Sequence, residues 1–350
     1  LSPDQIKQVN IITMNGDLAV SSINMSLDEY DSLVDNKSSF VELLNKTKII
    51  TVGNKTPTVT NTDFQPRVNF PEVSWSIAPA LRHQIGGPEA FYLGQFWWKI
   101  NSRIKFQRGL SLNTVLGLDI FNTFDQFSNP SYSSIPHVRS DIQEYLSEGK
   151  NNIARMKLDY MWSPRRDLFA RLDLGYLEEM FGGVGGEVYY RPFNKNYSTS
   201  FTWHKVKQRS YNQRFTFRDY SVETGHIGFY YDLPKGIQSQ LLIGKYLAGD
   251  RGATVDLSRR FKSGFTLGIF ATKTDISSEE FGEGSFDKGF YFSIPIDLFY
   301  TKYQTGSISF GMHPLTKDGG AILNHQSTLY GLLGDTNRDS LLRDWQDLLD

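Results

Sequence analysis

The amino-acid sequence predicts a mainly β protein: an antiparallel transmembrane β-barrel of about 12–16 strands, preceded by a small α+β domain and followed by a short C-terminal helix. Three observations lead there. The first is alternation in the stretch LFARLDLGYLEEMFGGVGGEVYYRPF (168–193). Leu168, Ala170, Leu172, Leu174 and Tyr176 share one side, and Phe169, Arg171, Asp173, Gly175 and Leu177 take the other. That is the period of two of a β-strand with one apolar and one mostly polar face. The second is composition: 25 Phe, 18 Tyr, 6 Trp and 30 Gly in 350 residues, a pairing that suits many strands, many turns and aromatic girdles. The third is the placing of acid and base together on one strand face, as with Arg171 and Asp173, which suits a wet or charge-paired lumen. A soluble sandwich turns its apolar face inward, and a membrane barrel turns it to lipid.

Residues 1–52 read as a small α+β unit. Lys7 to Met14 alternates, Asn15-Gly16 signals a hairpin into Leu18 to Met25, and Lys48 to Val52 offers a third strand. Ser26 with Glu29, and Ser39 with Glu42, have capping-box spacing for two short helices. Residues 53–71 turn to Thr, Asn and Pro and read as a linker or extended arm. From 72 to 332 strands follow one another. A turn at Gly86-Gly87-Pro88 and an interruption over 122–150 break the run. That interruption carries a short helix, DIQEYL (141–146), with Ser140 as its cap. The glycines at 182, 183, 185 and 186 suggest a tight reversal or bulge. A last strand is expected near His325 to Leu332. Residues 333–350 read as an amphipathic helix with Leu341, Leu342, Trp345, Leu348 and Leu349 on one stripe, needing the N-terminal unit or a barrel rim to pack on.

The totals exclude several function classes. A net charge of -1 leaves no electrostatic case for nucleic acid. The absence of cysteine removes disulfides and thiolate metal sites. No run approaches the ~20 apolar residues of a membrane helix. Glu178-Glu179 and Glu279-Glu280 form no catalytic dyad, because neighbours in a strand point to opposite faces. The six histidines (83, 137, 204, 226, 313, 325) lack ligand spacing, so no metal or other cofactor is expected. Asp335, Asn337 and Asp339 begin like a calcium loop, but Ser340 and Gln346 stand where glycine and a bidentate acid are needed. Asp335 or Asp339 as a cap for the terminal helix is the better reading. Trp162 and Trp203 lie in the apolar series and read as lipid-facing or girdle residues. No catalytic residue is expected. The lumen candidates for contacting a polymer are Arg155, Lys157, Asp159, Arg171, Asp173, Glu187, Arg191, Asp256 and Arg260.

Several long motifs then carry a resemblance: PHVRSDIQEYL (136–146), LEEMFGGVGGEVYYRPF (177–193), VKQR (206–209), YLAGDRGATVDLSRRF (246–261), FATKTD (270–275) and EEFGEGSFDKGFYFSIPIDLF (279–299). Over about residues 70–350 the chain resembles the YjbH/GfcD family of outer-membrane proteins of exopolysaccharide and group 4 capsule systems. The resemblance implies a non-enzymatic outer-membrane barrel with its N-terminal domain in the periplasm. It also implies a polysaccharide cargo, outer-membrane lipid around the barrel, and periplasmic polysaccharide-export partners. Full members are longer, begin with a lipoprotein signal and hold two barrel regions, so a C-terminal portion is expected here. The family offers no catalytic residues to carry over. Three functions compete: secretion or translocation of a polymer, non-conducting anchorage of capsule, and polysaccharide modification. The last needs two carboxylates about 5–10 Å apart in a cleft.

Overall fold

A computed structural model of the chain describes residues 7–52, 69–85, 91–126, 134–281, 286–300, 306–312, 318–343 and 345. In the N-terminal unit β1 (Gln8–Asn15) and β2 (Leu18–Ser26) form a hairpin, and β3 (Lys48–Thr51) pairs with the other edge of β2. Gly16 and Asp17, both at positive φ, form the two-residue turn, one position beyond the expected Asn15-Gly16. Two positive φ values in succession match the twist of the flanking strands. Helices α1 (Leu27–Val34) and α2 (Phe40–Lys46) cover the sheet. Ser39 and Glu42 complete a reciprocal capping box, whereas the Ser26 side chain makes no cap hydrogen bond. Ile23, Met25, Leu33 and Leu43 bury themselves together as in any soluble core.

The second sheet has thirteen described strands. They are β4 (Glu72–Ile85), β5 (Tyr92–Gln107), β6 (Leu110–Asn122), β7 (Asn151–Arg165), β8 (Leu168–Tyr176), β9 (Phe181–Tyr190) and β10 (Tyr197–Arg209), then β11 (Phe217–Leu233), β12 (Ile237–Lys245), β13 (Arg251–Arg260), β14 (Thr266–Thr274), β15 (Asp287–Pro295) and β16 (Ser307–Met312). Each pairs antiparallel with its neighbours in the sequence, a continuous meander. Among the described residues β4 and β16 are its two edges and are not hydrogen-bonded to each other, so the sheet is not closed. It is curled, because side chains of β4 and β5 line the same cavity as those of β13, β14 and β15. Among the described residues no helix is long and apolar enough to cross a membrane. The remaining helices are α3 (Ile142–Glu148), α4 (Ser278–Phe281), α5 (Leu329–Leu333) and α6 (Arg338–Arg343).

One face of this sheet is apolar and exposed. Trp75, Leu172, Leu174, Phe201, Trp203, Ile227, Phe229 and Ile269 all stand on it. The other face is polar and buried, with Arg171, Asp173, Glu187, Ser198, Ser200, His204, Thr254 and Thr272. A soluble sheet does the opposite, since apolar burial is the main favourable term in water.

Several expectations are corrected. The glycines of 182–186 lie inside the straight strand β9, and the reversal falls at 177–180. No strand forms at 325–332: the segment is coil followed by α5 and lies on the polar face instead of joining the sheet edge. Ser140 does not cap α3; its hydroxyl and amide bond Asp318. The cap of α6 is Asn337, whose side chain accepts from the Ser340 amide at 2.9 Å, not Asp335 or Asp339. Glu279 and Glu280 sit in α4, not in a strand. Leu341 and Trp345 pack on the N-terminal unit, where the Trp345 indole donates to the Phe40 carbonyl. Leu348 and Leu349, the turn at 86–88 and the linker as far as 68 lie outside the described residues.

Candidate functional site

The polar face is built by strand parity and register. Arg171 and Asp173, two apart on β8, point the same way. Register sets Glu187 of β9 opposite Arg171 and Asp159 of β7 opposite Asp173. The result is a ladder of buried ion pairs. Lys157 meets Asp159 at 2.9 Å, Arg171 meets Glu187 at 3.1 Å and Asp173 at 3.4 Å, and Arg191 meets Asp232 at 2.8 Å. His204 of β10 reaches across β9 to Asp173 on β8, Nε2 to Oδ1 at 3.0 Å. Gly185 lies between them in register, and a Cβ there would fall 2.2 Å from the imidazole. The glycine is the space into which the ring fits.

Desolvating a charge costs several kcal/mol per ion unless hydrogen bonds fill its remaining valences. Here the chain's own C-terminal segment, residues 318–337, supplies them. Asp318 accepts from the amides of Val138, Arg139 and Ser140 at 2.7–2.9 Å. Glu178 holds Arg139 through two bonds and accepts from the Asn324 amide at 2.8 Å. Lys157 reaches the His325 carbonyl at 3.4 Å, and Arg171 donates to the Ser327 carbonyl. Glu187 accepts from the Leu329 amide at 2.9 Å, and Arg191 donates to the Gly334 carbonyl at 2.8 Å. Leu329 and Leu333 complete the seal against Phe169, Tyr189, Leu18 and Val20.

All nine candidates from the sequence therefore stand on the polar face, in two groups. Lys157, Asp159, Arg171, Asp173, Glu187 and Arg191 are buried beneath the segment. Arg155, Asp256 and Arg260 are half-buried. Arg155 donates to the Leu177 and Asn324 carbonyls and to Gln326. Asp256 accepts from Tyr291 at 2.9 Å, and Arg260 pairs with Asp335. Arg155 and Asp256 line a cavity of about 1120 Å³ beside the segment. Arg82 lies over the Trp97 ring at 4.2 Å and pairs with Glu179 on another wall of that cavity. Polar groups beside an aromatic face are the chemistry that binds hydroxylated rings.

A smaller cavity of about 380 Å³ lies between the connection that precedes β7 and the one that joins β10 to β11, lined by His137, Asp141, Tyr211 and Arg218. Burial works to raise the Asp141 carboxyl, but hydrogen bonds from Tyr211, Arg218 and His137 outweigh it and hold the group below the ordinary carboxylate range.

Three features escaped the sequence reading. Asp173, His204 and His325 bring one ligand atom each to within 4.8 Å of one another, although 31 and 121 residues separate them in the chain. Asp318 has no local signature. Arg209 is fully buried, donating to the Glu178, Ile153 and Gln213 carbonyls and stacking on Tyr176 at 4.3 Å. It ends the VKQR motif, and a charged residue at the end of an otherwise alternating strand was the available signal.

Comparison with known proteins agrees with the motifs. The solved structure of Salmonella typhi OmpF in complex with daunomycin aligns with 64% of this chain and 85% of its own, at 11% identity and a TM-score of 0.35. The "Uncharacterized lipoprotein YjbH" of Escherichia coli (strain K12) is 36% identical over 268 residues, covering 74% of this chain and 38% of that protein. The chain thus aligns with well under half the length of that relative. A family model described as "Exopolysaccharide biosynthesis protein YbjH" matches residues 1–335, and the chain belongs to that YjbH exopolysaccharide biosynthesis family.

Proposed function

We propose that the thirteen-stranded sheet is the wall of an outer-membrane β-barrel through which an exopolysaccharide or capsule polymer is secreted, acting as a conduit and not as an enzyme. One observation carries this reading: the sheet exposes its apolar face and buries its charged one, beside a cavity that Arg82, Arg155, Glu179 and Asp256 help to line. Only a surrounding apolar solvent makes that arrangement favourable. Connections at one end of the strands are short, as at 108–109, 166–167 and 234–236, and the N-terminal unit docks at that end through Asp17 with Lys105 and Thr51 with Arg166. Short turns face the periplasm in such barrels, so the N-terminal unit sits there, positioned to meet periplasmic export partners.

The packed C-terminal segment favours a second reading, a non-conducting barrel that anchors capsule polysaccharide at the surface. Single-channel recording and polymer flux into liposomes separate the two. A conduit carries current or polymer when Leu329 and Leu333 are replaced by serine to loosen the segment, and reversing Arg155 and Asp256 then alters it. An anchor stays silent in both backgrounds while still retaining polymer. A freely soluble, monodisperse product without detergent overturns both.

A further inference from the structure

We propose that Asp173, His204 and His325 form a binding site for a divalent transition-metal ion of the zinc class, which fastens the C-terminal segment to the sheet. The site is independent of the polymer reading, because it rests only on three side chains and the cavity beside them. Asp173 comes from β8, His204 from β10 and His325 from the segment. The Nε2 of His204 lies 3.0 and 3.3 Å from the two Asp173 oxygens. Two ligands about 2.0–2.1 Å from a tetrahedral ion are about 3.3 Å apart, so an ion replaces the shared proton without moving either strand. The His325 ring sits 4.3 Å from the His204 ring, centroid to centroid.

A second observation points to a ligand. Of the fifteen buried side-chain polar atoms among the described residues that have no hydrogen-bond partner, three gather at one place: Nδ1 of His325, Nε2 of His226 and Oε1 of Glu187. All three residues line one cavity of about 60 Å³ together with His204. Buried polar atoms left unbonded are costly, and each calls for an explanation. A metal ion held by Asp173, His204 and His325, with a water in its fourth position, accounts for them. The His325 ring ligates, and His226 and Glu187 face the water, whose share of volume in the liquid is about 30 Å³.

Charge is consistent with this. The buried group holds Lys157 and Arg171 against Asp159, Asp173 and Glu187, two cations facing three carboxylates. Arg171 approaches Glu187 more closely than it does Asp173, so Asp173 Oδ1 stays directed at His204. Two imidazoles and one carboxylate select a borderline cation; calcium and magnesium take oxygen donors throughout. The site differs from the expectation of no metal because folding, not spacing, assembles it.

The test uses the full chain, refolded in detergent and dialysed against zinc, with bound metal measured by elemental analysis. One equivalent is expected. His325→Gln and Asp173→Asn should each weaken retention by more than the about 10–100-fold that losing a supporting group costs, and His226→Phe by about that amount. His83→Gln and His137→Gln should leave it unchanged. Folding of each variant is read from its shift on an unheated gel. If the ligand variants do not fold, cobalt added to the unmodified chain decides: an intense visible band of tetrahedral cobalt at one equivalent supports the site. Failure to retain zinc, retention unchanged in a folded His204→Gln/His325→Gln variant, or a weak octahedral cobalt spectrum overturns it.

Discussion

Two stretches of the large sheet obey the same alternation with opposite sidedness. On β8, Arg171 is 3% exposed and its neighbour Leu172 is 55% exposed. On the last turn-ward residues of β10 the pattern reverses: Val206 is buried, and Lys205 and Lys207 are exposed. Val206 packs with Leu177, Phe181, Val222 and Leu247 in an ordinary apolar core, and Lys205 offers its ammonium to the exposed Glu223 at 3.7 Å. On the barrel proposed above, the strand crosses from a region where the outside favours hydrocarbon to one where it favours water. Period two describes both; the solvent decides which face is buried.

That contrast can be broken in four ways. The largest effect is expected from Arg171→Met, which leaves Asp173 and Glu187 buried without their cation and should cost about 3–5 kcal/mol, read as the urea midpoint of vesicle-reconstituted protein. An unchanged midpoint would mean the polar face is open to water. Leu329→Ala removes a fully buried anchor of the C-terminal segment, for about 2–5 kcal/mol, and limited proteolysis should then cleave within 318–337. Leu172→Arg should cost about 2–4 kcal/mol if the apolar face meets the bilayer midplane, whereas a charge reversal at exposed Lys207, Lys207→Asp, should stay within about 0.5 kcal/mol. Equal effects at the two positions would erase the distinction between the regions.

The smallest concerns Asp141 in the connection that precedes β7. Its folded pKa lies below the unfolded value, so its contribution is complete above the ordinary carboxylate range and is lost as pH falls through the lowered folded value. Acid should therefore loosen this loop cluster only below that range, and Asp141→Asn should remove the dependence. Hydrogen exchange of residues 136–146 against pH measures it.

Much of the fold was legible. Parity alone put Arg171, Asp173, Glu187 and the six other candidates on one face, because a strand's side chains alternate whatever surrounds them. Ser39 and Glu42 announced their helix for a similarly local reason. Less was legible where the partner is distant. The glycines at 182–186 looked like a turn, yet Gly185 is needed for an imidazole carried by the neighbouring strand, 19 residues on in the chain. The stretch from His325 to Leu332 reads as a last strand, but its amides and carbonyls bond Glu187, Lys157 and Arg171 across the sheet.

What the sequence determined by itself was the alternation and the membership of each face, both set by interactions within a few residues. Only the tertiary structure decided that the charged face is covered by residues 318–337, and that Asp173, His204 and His325 meet. Contacts of that kind depend on which segment comes to rest against which, and chain spacing carries no record of it.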